Sequence, residues 1–201
     1  LFIAILATLF VAMPILAQPL RAASANPAEA FVQENVDRAF AILNNTAVPE
    51  EQRYAQFREL ILSLMDARRI GMFTLGPYAN RASQAEIESF IAAFSDYTIR
   101  FIYGAGFAQT EGNAPKVTGS TQRAVDDVVV NCEAEGPSAQ PIKVAFRVRR
   151  SADGRPIVTD LQVEGVWLAL LQRSDFTAFL QQNEGRISAL TADLERLART
   201  R

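Results

Sequence analysis

Catalysis leaves residue signatures, and the 201 residues of this chain carry few of them. There is no histidine and only one cysteine. Ser-His-Asp and Cys-His arrangements and the usual zinc sites are thereby excluded, since each needs an imidazole or several thiolates. Paired carboxylates are the remaining route to general acid–base chemistry. Asp126 and Asp127 are neighbours at the start of a strand, so their side chains point to opposite faces and cannot share a proton. Glu50 and Glu51 suit the first turn of a helix, where the dipole favours negative charge. Asp160 and Glu164 share a strand face opposite Leu161 and Val163, a place for solvated or arginine-paired groups. Cys132 alternates with Val128 and Val130 and reads as a small core-facing residue with no base beside it. The sequence therefore predicts no catalytic residue, no metal and no cofactor. A small α+β isomerase or dehydratase with a buried carboxylate is the enzyme alternative.

Charge narrows the partners. Twenty basic and 22 acidic residues give a net charge of -2. The densest basic run, Arg147-Val148-Arg149-Arg150, alternates like the wet face of a strand, so no nucleic-acid partner is expected. Nearly all the basic residues are arginine, a preference without a physical account beyond contact with phosphate or carboxylate groups. The apolar share is 49%, with 13 phenylalanines. For one phenylalanine, burial in a core is explanation enough. Taken together, such surfaces either pack solid or line a pocket, and periodicity does not separate the two.

The elements that position these residues follow from pattern. Residues 1–16 are apolar and uncharged, too short for the roughly 20 residues of a membrane span, and lead to Ala23-Ser24-Ala25. This reads as a signal peptide over residues 1–25, with an uncleaved anchor as the alternative, and one domain over 26–201. Loss of Arg21 leaves 19 basic against 22 acidic residues, a net charge of -3. Asn26-Pro27-Ala28-Glu29 starts a first helix that ends near Asn44-Asn45. Pro49 starts a second, which Gly71 interrupts before a short element carrying Met72, Phe73 and Leu75. Ser83 and Glu86 form a capping box for the longest helix, whose stripe is Ile87, Phe90, Ile91, Phe94, Tyr97, Phe101 and Ile102. Strands are expected near Phe107 and Val117, over 125–133 and over 142–149, with a hairpin turn at 151–154.

The chain is organised around residues 157–179, IVTDLQVEGVWLALLQRSDFTAF. A strand alternates Ile157, Thr159, Leu161 and Val163 with polar or outward positions, and Gly165 breaks it. An apolar run from Val166 to Leu171 leads to an N-cap at Ser174 and a new helix. A last helix carries Ile187, Leu190, Leu194 and Leu197. Helices, then hairpin-linked strands, then helices again describe an α+β protein with an antiparallel sheet covered on one side.

Two stretches carry a family resemblance. The order D-x-x-V-E-G-V, an apolar patch, then Q-R-S-D-F and a closing amphipathic helix resembles the C-terminal signature of the MlaC family, the toluene-tolerance proteins, which include the hopanoid-associated HpnM branch. FTLGPYANRAS over 73–83, with Phe90, Phe94 and Tyr97, is similar to the family's F-x-L-G element and the aromatic helix after it. The resemblance spans about residues 28–197. It departs at Trp167, where the family usually carries a small residue, often serine.

The resemblance implies a curved antiparallel sheet of about four or five strands, surrounded by helices and enclosing an apolar cavity, similar in outline to the nuclear transport factor 2 fold. It also implies a periplasmic carrier of phospholipid or a hopanoid-like lipid. Its partners would be an outer-membrane lipoprotein complex and an inner-membrane ABC transporter with a lipid-binding ring protein. The lipid-tail candidates are Phe73, Leu75, Phe94, Tyr97, Phe101, Tyr103, Phe146, Val163, Val166 and Trp167. Arg81 and Arg173 are candidates for a head group or an acidic partner surface, or else are ordinary solvated arginines. Trp167 is either a gate or a packed core residue. A docking module without an internal cavity is the third alternative.

Overall fold

A computed structural model of the chain describes residues 26–106, 113–136 and 140–200. The expected signal segment and the strand expected near Phe107 lie outside them. Six α-helices and five strands follow in order: α1 Pro27–Leu43, α2 Glu50–Leu64, α3 Ala67–Leu75, a 3-10 turn Gly76–Arg81, α4 Gln84–Phe101 and a π turn Ile102–Gly106. The strands are β1 Lys116–Ala124, β2 Asp127–Ala134, β3 Ile142–Arg150, β4 Pro156–Val163 and β5 Val166–Trp167. The chain closes with α5 Leu168–Gln182 and α6 Ile187–Thr200. The strands form one antiparallel sheet in sequence order, so the α+β expectation holds.

Local chemistry starts the helices as the residue types require. The Asn26 side chain accepts from the Ala28 amide at 3.0 Å, and Pro27 sits where no amide is needed. Glu29 reaches across to accept from Ser120 of β1 at 2.6 Å, which ties α1 to the sheet. Ser83 and Glu86 complete the capping box of α4 in both directions.

Two breaks fall elsewhere than the pattern suggested. The second helix ends at Met65 instead of Gly71, because extended Met65 forms a bridge to Val158 of β4 and Asp66 caps α3 through the Arg69 amide. Gly71 is instead buried inside α3, where a Cβ would lie 2.4 Å from Ile91 Cδ1 and 3.3 Å from Phe90. Its smallness lets α3 press against α4. Likewise α5 starts at Leu168, so Ser174 lies within the helix and caps nothing.

The strand alternation also shifts. Arg147 faces Asp160 across the ladder, yet Val148 faces Val158, so Thr159 is an extra residue in β4. The bulge places Val158, Leu161 and Val163 on one face with Val148, Phe146 and Val144, whereas strict alternation puts Val158 on the opposite side.

Two apolar clusters result. One joins α1's C-terminal half to α2 through α6, with the rings of Phe90, Phe94 and Phe176 within 6.3 Å of one another at its centre. The other packs Val32 and Val36 of α1 on Val128, Val130, Cys132 and Val148 of the sheet. Burial pushes the Cys132 thiol up to about 12, which makes it inert at neutral pH, as its pattern suggested.

On the sheet, Asp127 is buried and accepts from Arg147 Nε at 2.9 Å. This guanidinium bond, with further help from Arg149, holds the carboxyl below its usual range. A depressed carboxylate contributes stability above its unfolded pKa of about 3.9 and loses it as pH falls through the folded value. Asp127→Asn is therefore expected to flatten the acid arm of a stability profile below about pH 4. A profile that keeps the wild-type acid slope contradicts that assignment.

Candidate functional site

Between the two clusters lies a cavity of about 220 Å³, partly open to solvent. Helix α1 forms one wall with Val32, Val36, Ala39 and Phe40. Helix α2 adds Phe57, Ile61 and Leu64, followed by Met65, and α3 adds Ile70. The sheet supplies Val144 and Phe146 from β3 and Val158, Leu161 and Val163 from β4. The ends of α4 and the start of α5 complete it with Phe101, Ile102, Leu168 and Ala169.

The hollow follows from the elements around it. Helix α1 is long enough to join both clusters, its N-terminal half on the sheet and its C-terminal half in the helical core. The Met65 bridge ties the other side of the helical layer to β4. Between these two ties, apolar faces of helix and sheet look at each other without closing up.

Four polar side chains reach the lining: Asn35, Thr98, Asp160 and Gln172. Asn35 donates to the Phe31 carbonyl at 2.8 Å, so it is occupied within α1. The Thr98 hydroxyl is buried without a hydrogen-bond partner. Asp160 Oδ1 accepts from the amides of Leu161 at 2.9 Å and Ala169 at 3.1 Å. The second of these bonds caps α5 from the neighbouring strand, which explains why the helix needs no Ser174 cap. Burial nevertheless pushes the Asp160 carboxyl up, against the pull of the two amides and Arg147. Asp160 is thus a structural cap in the cavity wall, not the solvated or arginine-bridged strand residue expected. Glu164 stands at the turn, where its side chain accepts from the Lys143 amide at 2.6 Å.

The structure divides the tail candidates. Phe101, Phe146 and Val163 line the cavity. Leu75 and Phe94 are fully buried in the helical core, and Tyr97 and Tyr103 pack against it. Tyr103 meets Tyr54 and Phe57 edge-on at 5.2 and 5.5 Å. Phe73 and Val166 are exposed, and Trp167 is half-buried in β5 opposite Gln162, at the N-cap of α5. Much of the lining comes instead from α1 and α2, whose apolar stripes look the same in sequence whether they face side chains or space. The β4 bulge hid Val158 in the same way.

Neither candidate arginine lines the cavity. Arg81 is exposed at the end of the 3-10 turn. Arg173 stacks its guanidinium 4.8 Å from the centre of the Phe73 ring and lies against Gly76, where a Cβ would come within 3.3 Å of Nε. Gly76 also has φ +56, a conformation that favours glycine. The two stretches that carry the family resemblance therefore meet in space, with F-x-L-G on α3 and its turn holding the arginine of Q-R-S-D-F on α5.

Comparison with known proteins agrees with this geometry. A phospholipid-binding protein from Ralstonia solanacearum, solved in complex with a phospholipid, shares the fold with a TM-score of 0.72 at 20% sequence identity. The match covers 85% of this chain and 96% of that one. A comparison with curated protein sequences finds no match. The sequence profile described as MlaC protein matches residues 33–196. That span takes in every described helix and strand but residues 27–32 of α1 and 197–200 of α6, and it shows that the chain belongs to the MlaC family.

Proposed function

We propose that this protein is a periplasmic lipid carrier that takes phospholipid acyl chains into the cavity between α1, α2 and the sheet. It would shuttle lipid between outer and inner membranes as the soluble component of an ABC transport system. In this reading residues 1–25 are the export signal and 26–201 the single lipid-binding domain. The observation that carries the proposal is the character of the hollow: of the 26 lining residues among those described, 22 are apolar and only Asp160 is ionisable.

The energetics fit such a use. An acyl chain in water costs about 0.8 kcal/mol per CH2, so two ordinary chains cost on the order of 20 kcal/mol. An apolar cavity of about 150 Å³ already stays dry and takes up a benzene-sized guest. The hollow here is larger, and its walls are mostly apolar side chains that an acyl chain can meet. Of the tail candidates, Phe101, Phe146 and Val163 are proposed to touch the chains, joined by Val36, Ala39, Val158 and Leu168. The phospholipid bound by the Ralstonia protein of the same fold supports the ligand class. The partners proposed are the outer-membrane lipoprotein complex and the inner-membrane transporter with its ring protein.

The enzyme alternative needs a free acid or base beside the ligand. Asp160 does line the cavity, but its Oδ1 is taken by two backbone amides and no second ionisable group lines the hollow among the described residues. Native mass spectrometry of protein recovered from the periplasm of an expressing Gram-negative host tests the reading. A complex heavier by one phospholipid is expected, and a hopanoid-sized adduct would redirect the ligand within the same class. Protein free of any lipid would overturn the proposal.

A further inference from the structure

We propose that the outward faces of α3 and of the start of α5 dock this protein onto an anionic lipid bilayer. The inference rests on the carrier reading and adds the surface at which cargo is exchanged. On α5, Leu168, Ala169 and Gln172 turn inward to the cavity. Between them Leu170 and Leu171 stand 60% and 47% exposed. On α3, Ile70 lines the cavity while Phe73 is 43% exposed. The guanidinium of Arg173 on the Phe73 ring joins the two helices, with Leu170 one turn before Arg173 and Arg69 one turn before Phe73. The same two helices thus present a cavity wall inside and an apolar patch outside.

The charge of the patch selects its partner. Arg68, Arg69 and Arg173 form no ion pair with a carboxylate among the described residues. The acid nearest in α3, Asp66, is occupied at the helix start by the Arg69 amide. On α5, Asp175 lies about 200° round the helix from Arg173, one turn past Leu171, so the basic side of the patch is the one that carries Leu170 and Arg173. This basic face belongs to a chain of net charge -2, and its unpaired arginines favour contact with a negative surface. Guanidinium groups match phosphate geometry, and leucine and phenylalanine beside them suit the boundary between head groups and acyl chains. Three apolar side chains and a few arginines fall short of the roughly 20–30 residues a side of a standard protein interface. They are enough for reversible attachment to a bilayer.

Vesicle flotation tests the docking surface, using protein recovered from the periplasm of an expressing host. The wild type is expected to float with vesicles containing phosphatidylglycerol, to bind pure phosphatidylcholine vesicles weakly, and to release at about 1 M salt. Arg68→Ala with Arg69→Ala should weaken attachment about thirtyfold, since each arginine near an anionic surface contributes about a fivefold share. Leu170→Ser with Leu171→Ser should also detach it. Both variants should retain the bound lipid seen by native mass spectrometry. A wild type that ignores anionic vesicles, or variants that float as it does, overturns the proposal and leaves the face to a protein partner. Vesicle binding by a protein that carries no lipid would leave the docking surface standing and contradict the carrier reading instead.

Discussion

Ala39→Trp is expected to empty the protein of lipid without destabilising it. Ala39 lies on the cavity-facing side of α1, between Val36 and Leu43, and contributes only a methyl group to the wall. An indole there projects into space that no described side chain occupies. Displacing even four methylenes of a guest into water at about 0.8 kcal/mol each weakens retention by more than about a hundredfold. The melting temperature of the variant should equal or exceed that of the lipid-free wild type, because the new ring gains contacts across the hollow. A solid interior gives the opposite pattern: overpacking there costs about 1–3 kcal/mol and leaves no lipid to lose. Measuring bound lipid and thermal stability on one preparation separates the two outcomes.

The second large effect centres on Asp160. Asp160→Ala removes the acceptor for the Ala169 amide and with it the only side-chain bond at the start of α5 among the described residues. A lost cap of this kind costs about 1–2 kcal/mol. The start of α5 carries Leu168, Ala169 and Gln172, so fraying there also loosens the cavity wall and should lower lipid retention. Asp160→Asn keeps an oxygen acceptor while removing the charge that burial penalises. It should therefore match or exceed the wild type in stability at neutral pH.

The pH dependence has the opposite sign to that of Asp127. A carboxyl raised in the folded state favours folding when protonated and loses that advantage as pH rises through its folded value. Removing Asp160 should accordingly act on the limb above the ordinary carboxylate range, and removing Asp127 on the limb below it. Chemical denaturation of both variants between acid and neutral pH checks this. A stable Asp160→Ala, equal to wild type in stability and lipid content, would show that the bond to Ala169 carries nothing.

Local chemistry accounts for what was legible in the sequence. Asn26 before Pro27, and Ser83 three residues before Glu86, each satisfy orphan amides with groups adjacent in the chain, so their helices start where the residues say. The inert Cys132 and the hairpin at 151–154 are equally local. The misplacements are tertiary. Met65 leaves the helix because it pairs with Val158, which is 93 residues away, and α5 begins at Leu168 because its cap comes from Asp160. Thr159 gives no sign that it is a bulge residue, yet it decides which side of β4 faces inward.

The candidate site was legible only in outline. An apolar stripe records that a face avoids water and says nothing about whether the opposite face touches it. Phe94 and Phe146 illustrate this: both are aromatic and both face inward, but one is locked among Phe90 and Phe176 while the other borders the hollow. Separating them required the arrangement of α1 across both clusters.

A crystal structure of the protein as recovered from an exporting host, with its native lipid retained, tests the central claim most directly. The account predicts acyl-chain density running among Val36, Ala39, Phe146, Val163 and Leu168. Density for a lipid elsewhere on the molecule, or those five side chains closed on one another with nothing between them, would contradict it.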